Sequence, residues 1–259
     1  MLSNVVAYRE LIFQLFKRDF LMLYKKSFFG LGWHVAAPLI AIVSWLFLNA
    51  TGVLEPGDLG VPYPVYVLVG ITIWRFFMSL FLAAVDTLKI GSSIITQVNF
   101  PHEILLFKQI LEQLAILAIS LSIAIIAILI MGTMPQWQIV FLPLMVVPLL
   151  CFGAAGGIVL SVISGATDDI KKLFELTLNL LMFVTPIVYS IDKIQGTLRT
   201  VVMLNPLTYL VGEMRNVVLF GYIANPQAYL ITAGISVILF LVALRFFYVS
   251  EEKVIEKMM

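Results

Sequence analysis

From Gln113 to Thr167 the chain carries no aspartate, glutamate, lysine or arginine. A charge-free stretch of that length does not belong to a soluble domain. A helix needs roughly 20 apolar residues to cross a hydrocarbon layer of about 30 Å. The polar, turn-forming patch GTMPQWQ, Gly132 to Gln138, divides the stretch into two helical lengths. Two membrane spans, 104–131 and 140–164, are predicted from it.

Comparable runs recur. VAAPLIAIVSWLFLNATGVL lies uncharged between His34 and Glu55 and gives a span at 34–54. Arg215 and Arg245 bracket another run, with Asn225-Pro226 as turn chemistry before a last span at 227–248. Two further spans are less regular. The one at 64–88 is interrupted by Arg75, and the one at 170–190 has only sixteen uncharged residues, between Glu175 and Asp192. Both reach across when their ends snorkel. With 61% hydrophobic and 12% charged residues, the predicted class is an all-α integral membrane protein of six transmembrane helices in one domain, 1–259.

Net charge is +1 and points to no nucleic acid, but its distribution orients the chain. With the N-terminus inside, the inner segments hold Arg9, Lys17, Arg18, Lys25, Lys26, Lys89, Lys108, Lys171, Lys172, Arg245, Lys253 and Lys257, against Lys193, Arg199 and Arg215 outside. This positive-inside asymmetry places both termini in the cytoplasm. Arg9, Glu10, Lys17, Arg18 and Asp19 break up any early apolar core, so the first span is expected to do the targeting. Cys151 is the sole cysteine and forms no intramolecular disulfide.

Residues 5–26 put Tyr8, Ile12, Phe16, Phe20 and Leu23 at helical spacing, the pattern of an amphipathic helix on the cytoplasmic membrane surface. Gly153, Gly157, Ser161 and Gly165 recur every fourth residue and make a small face for close helix packing, within one subunit in the first reading and between subunits in the second. Residues 192–221 contain Glu213 and Arg215 and so do not form a seventh span. Their apolar pieces, split by Asn205-Pro206, are predicted as two outer re-entrant helices.

Catalytic chemistry is missing from this pattern. HEILL at His102 lacks the second histidine of a zinc helix, and the other histidine is His34. Gly30-Leu31-Gly32 has neither a preceding strand nor the third glycine of a dinucleotide fingerprint. No phosphate loop and no nucleophile elbow occur. No catalytic or metal site is predicted, no cofactor is expected on this chain, and the chain cannot hydrolyse ATP alone.

Arg75 stands apart. An arginine at the middle of a span costs about 2.5–3.5 kcal/mol on insertion scales, so it should face protein or water. An ion pair with an acid such as Glu112, or a snorkelling side chain, is one resolution and a role on a transport path is the other. The surrounding IWRFF, Ile73 to Phe77, supplies aromatic faces suited to sugar rings or to a cation–π contact.

Several segments, in order, resemble the permease subunit of polysaccharide ATP-binding-cassette exporters. They are YKKSFFGLGWHVAAPL from Tyr24, GITIWRFF from Gly70, NFPHEIL from Asn99, TDDI from Thr167, TPIVYS from Thr185 and LNPLTYLVGEMRNVVLFG from Leu204. The resemblance covers nearly the whole chain. It departs at Asp168-Asp169, where the family usually has an arginine-aspartate pair, and at Arg75, where a neutral residue is usual.

The resemblance implies a type 2 exporter permease of the bacterial inner membrane. It would work as a homodimer with two copies of a separate ABC ATPase that uses ATP and Mg. The cargo would be a lipid-linked polysaccharide of O-antigen, capsule or teichoic-acid type. The cytoplasmic loop at 89–103 would meet the ATPase through Gln97, Asn99, Phe100, Pro101, His102 and Glu103, with Asp168 and Asp169 as a second cytoplasmic contact. Trp74, Arg75 and Phe77, with Tyr189 and Tyr209 near the outer mouth, would line the substrate path. An ABC exporter of a small lipid or drug fits the same pattern. A secondary transporter fits less well, because internal repeats and broken midplane helices are missing. A lipid transferase would need a denser cluster of acids or histidines.

Overall fold

The computed structural model describes residues 2–25, 32–53, 57, 59–87, 103–164 and 168–258. Every regular element among them is helical: α1 (Leu2–Ala7), α2 (Arg9–Lys25), α3 (Gly32–Ala50), α4 (Tyr63–Val85), α5 (Glu103–Ile130), α6 (Leu142–Ser164), α7 (Asp168–Val184), α8 (Gly196–Leu204), α9 (Pro206–Phe220) and α10 (Pro226–Met258). Short 3-10 turns at Trp137–Phe141 and Ile191–Lys193 lead into α6 and α8.

Four of these segments are long and apolar enough to cross a membrane: Tyr63–Val85, Glu103–Ile130, Trp137–Ile163 and Pro226–Ser250. They coincide with four of the six expected spans. At the other two places the chain is also helical. The expected span 34–54 overlaps α3, which ends at Ala50, and the expected span 170–190 overlaps α7, a 17-residue helix that ends at Val184. Thr185-Pro186 stops α7 early, because proline excludes the residue before it from helical geometry.

The axis of the molecule is α4. Pro62 precedes it and Pro64 sits in its first turn, where a missing N–H costs nothing. Apart from Arg75 it is apolar on every side, and α3, α5, α6 and α9 pack on it. Val65, Val67 and Ile73 are fully buried. In lipid no hydrophobic force holds helices together, so close backbone approach and hydrogen bonds must do so.

The α4–α6 contact illustrates this. A Cβ added at Gly157 would stand 2.6 Å from the Ala84 Cβ, and one at Gly153 would stand 3.3 Å from Phe77 and Leu80. The expected small face therefore packs inside one subunit, at these two glycines and at Ser161, which is 2% exposed. Gly165 lies outside the described residues. On its other side α6 packs against α10. The opposite face of α10 presents Leu230, Ile231, Ile235, Ile238, Leu241 and Val242 outward, as a lipid-facing helix does.

Residues 192–221 contain two helices, α8 and α9, split at Asn205-Pro206. Asn205 caps α9 by accepting from the Leu207 N–H (3.0 Å) and donates through Nδ2 to Thr185 Oγ1 (2.8 Å), which ties the α8–α9 corner to the end of α7. Gly221 ends α9 at φ 75°, a left-handed cap that also leaves room for Gln138.

Candidate functional site

The two ends of the bundle carry different chemistry. At the end where α4 finishes, the chain enters and leaves residues 88–102, which lie outside the described residues and include Gln97, Asn99, Phe100, Pro101 and His102. The roots of this loop are nevertheless described, and each is held by ions. Asp86, one residue past α4, accepts both its contacts from Lys171 Nζ of α7, at 2.8 and 2.7 Å. Lys108, on the first turns of α5, pairs with Asp19 of α2 (2.8 Å) and with Glu112 (3.0 Å). Glu103, the first residue of α5, is 1% exposed. Its neighbours Ile104 and Leu105 pack on Ile12 of α2.

The amphipathic N-terminal helix thus docks its Ile12 side on α5 and leaves Phe13, Leu21 and Met22 exposed. Asp168 opens α7 and Asp169 is exposed beside it, close in sequence to Lys171 of the ion pair. Among the described residues no group of three histidine, cysteine, aspartate or glutamate side chains is placed to hold a metal.

The Asp19 carboxyl is pushed up by burial, but hydrogen bonds from Arg18 and Lys108 outweigh this and hold it below the usual carboxylate range. A depressed carboxylate stabilises the docked state above its unfolded pKa of about 3.9, and that contribution is lost as pH falls through the folded value. Acidification below about pH 4 is therefore expected to loosen α2. At neutral pH, Asp19→Asn should speed hydrogen exchange of the α2 amides about fivefold, from roughly 1 kcal/mol after solvent screening. Unchanged exchange would show that the pair does not hold the helix.

Arg75 sits at the middle of α4 with its side chain exposed, between Trp74 (2% exposed) and Phe76 (4%). The alternative partner, Glu112, is engaged by Lys108, and among the described residues no ion pair or hydrogen bond takes up the Arg75 guanidinium. Trp74 and Phe77 face the other way. They are both 2% exposed, with ring centroids 5.4 Å apart, and Phe77 stacks on Phe152 of α6 at 6.1 Å. They form the packing behind Arg75 and do not share its exposed side.

The opposite end holds a polar cavity of about 600 Å³ where the start of α4, the α7–α8 connection and α9 converge. Arg215 is 5% exposed and is the anchor of its wall. Its guanidinium lies 3.8 Å over the Tyr66 ring and donates through Nη1 to the carbonyls of Pro186 (2.7 Å) and Ile187 (3.3 Å). The Tyr66 hydroxyl donates in turn to the Tyr189 carbonyl (3.2 Å). Glu213 accepts from the N–H groups of Ala224 (2.7 Å) and Asn225 (2.9 Å), fixing the approach to α10. Of the expected outer-mouth residues, Tyr209 lines this cavity and donates to the Met203 carbonyl (2.9 Å). Tyr189 lies beside it and donates to the Phe183 carbonyl (2.8 Å).

Sequence reasoning missed Arg215 and Glu213 as organisers. Their presence in the apolar run LTYLVGEMRNVVLF was the available signal, since charges there must be paired or solvated. The pairs Asp86–Lys171 and Asp19–Lys108 join residues far apart in the chain and left no local pattern.

A family model described as "ABC-2 type transporter" matches residues 10–219. The chain is also similar to two proteins named "O-antigen export system permease protein RfbA". The one from Myxococcus xanthus is 24% identical over 196 residues, 75% of this chain and 74% of that protein. The one from Klebsiella pneumoniae is 22% identical over 188 residues, 71% of each.

Proposed function

Because this chain belongs to the ABC-2 type transporter family, as a multi-pass membrane permease without an ATPase domain, we propose that it forms the membrane half of an ATP-driven exporter of a lipid-linked polysaccharide. The observation that carries the cargo class is the similarity to O-antigen export permeases across three quarters of the chain. Permeases of this family pair with ABC ATPases. Here the engine is two copies of an ATPase that binds ATP and Mg, and the permease acts as a homodimer. One bundle built around a packed helix such as α4 leaves no conduit for a polymer, whereas two copies about a two-fold axis enclose one. The polymer is of O-antigen, capsule or teichoic-acid type.

The protein sits in the bacterial inner membrane with both termini in the cytoplasm, and α3 and α7 complete six spans. The charge distribution supports this orientation. In it α8 and α9 are re-entrant helices at the outer face, and the loop 89–103 faces the ATPase. The two ion-paired roots suit that loop to transmit force. Motion at Asp86 is passed to α7 through Lys171, and motion at Lys108 is passed to α2 through Asp19. ATP-driven closure of the ATPase pair then becomes a rigid-body shift of the permease helices.

On the cargo path the central residue is Arg75, because a cation exposed at mid-span requires water or an anionic partner. Trp74 and Phe77 set its position from behind, and Tyr189 and Tyr209 stand at the outer mouth. Docking is checked by crosslinking. Cysteines introduced as Gln97→Cys and His102→Cys should each bridge to the ATPase in the assembled complex, in an ATP-dependent yield. Failure of both to crosslink would remove the loop from the interface.

A further inference from the structure

The polar cavity between the start of α4, the α7–α8 connection and α9 holds about 600 Å³, within the about 300–1,000 Å³ usual for small-molecule sites. Gly60, Asp192, Tyr222 and Asn225 are its exposed side. Two of its three charged lining residues are engaged in the wall itself. Arg215 and Glu213 are each 5% exposed, the first bonded to the carbonyls of Pro186 and Ile187 and the second to the N–H groups of Ala224 and Asn225. Asp192 is the third, and it is exposed. Ser190 Oγ donates to its Oδ2 (3.1 Å), and no described residue donates to its Oδ1. Lys193, whose stem lies on Gly57, and Arg199 are not part of the lining.

The accessible charge of the cavity is therefore one carboxylate. Such a wall repels phosphate and other anions. A small cation gains little from it, because an exposed ion pair is screened by water and salt. Hydroxyl groups suit it, since each donates to a charged acceptor without bringing a charge of its own. Beside the carboxylate stand two aromatic rings. Tyr222 is 57% exposed, and Tyr209 is half-buried with its hydroxyl held by the Met203 carbonyl. Ring faces next to a hydroxyl acceptor match the two-sided surface of a sugar, apolar on its C–H face and polar at its edge. Gly212 of α9 also lines the cavity and keeps it open, for a Cβ there would have Arg215 Nη2, at 4.0 Å, as its nearest contact beyond its own helix backbone.

We propose that this cavity is a saccharide site that takes an uncharged sugar unit in each protomer, with hydroxyls on Asp192 and ring faces on Tyr222 and Tyr209. As a station for the exported polymer it rests on the export reading, whereas sugar binding itself is measured without export.

The test applies the full-length permease in lipid nanodiscs to a printed array of neutral, uronate-bearing, phosphate-bearing and amine-bearing oligosaccharides. Neutral glycans should be retained, and the acidic ones at least ~tenfold less. Asp192→Ala and Tyr222→Ala should each lower retention of the neutral glycans about tenfold, at unchanged melting temperature because both side chains are exposed. Gly212→Leu fills the cavity and should abolish retention, while the melting temperature holds or rises because a helical glycine is removed. Retention of no neutral glycan, retention of the amine-bearing ones alone, or retention that survives Gly212→Leu in folded protein would overturn the proposal. Polymer-stimulated ATP turnover without glycan retention would remove the site and leave the export reading intact, and glycan retention without such turnover would do the reverse.

Discussion

Arg75→Ala is expected to lower polymer export roughly ten- to a hundredfold while the protein keeps its melting temperature and its ATPase partner. The size follows from losing one charge-assisted contact, about 1.5–3 kcal/mol, with each 1.36 kcal/mol a factor of ten in rate. Stability should hold or rise, because the side chain is exposed at mid-span and no described residue pairs with it. A membrane-embedded arginine in that position is a cost to folding, not a support. Export by cells measures the first effect and thermal denaturation in detergent the second. Loss of folding would make Arg75 a structural residue, and undiminished export would take it off the path.

Arg215→Ala should behave in the opposite way. This arginine is buried, stacked on Tyr66 and bonded to two carbonyls that join α7 to α8. Truncation strips both carbonyls of their donor and opens a void beside Tyr66. The loss should be about 3 kcal/mol, from two hydrogen bonds to a charged group and a desolvated cation–π contact, less the relief of burying the charge. In a chain of this size that corresponds to a fall in melting temperature of roughly 6–12 °C. Arg215→Lys should recover little, since an ammonium cannot stack on the ring and reach two carbonyls at once. A variant as stable as wild type would show that the α7–α8 junction is held by other means.

These two arginines mark how far the sequence was readable. Both are cations in apolar surroundings, and Arg75 was recognised as exceptional because a charge in a long apolar run needs no partner to be noticed. Arg215 was counted only as an outer-loop charge, since the ring and carbonyls that accommodate it come from α4 and from Pro186-Ile187. The spans were legible where charge disappears for a full helix length, as from Gln113 to Thr167. They were blurred at α7, where Pro186 shortens the helix. The glycine face of α6 was legible because small residues at a four-residue spacing have one physical use. The aromatics around Arg75 were not. On a helix apolar all round, periodicity cannot tell Trp74 and Phe77, which pack inward, from an exposed neighbour.

The loop roots teach the same lesson from the other direction. Asp86 and Lys171 are individually ordinary charges near helix ends, and only the fold brings them to 2.7 Å. If the loop transmits force, this pair and the Lys108–Asp19 pair are where the force leaves it.

The central claim is that the chain moves a lipid-linked polysaccharide by an engine it does not itself contain. Its most direct test is the permease copurified with its ATPase and reconstituted in proteoliposomes, with ATP turnover measured as lipid-linked polysaccharide is added. Turnover should rise several-fold with the polymer, stay low with the lipid carrier alone, and vanish when the permease is present without the ATPase. An ATPase that fails to copurify, or turnover indifferent to the polymer, would contradict the account.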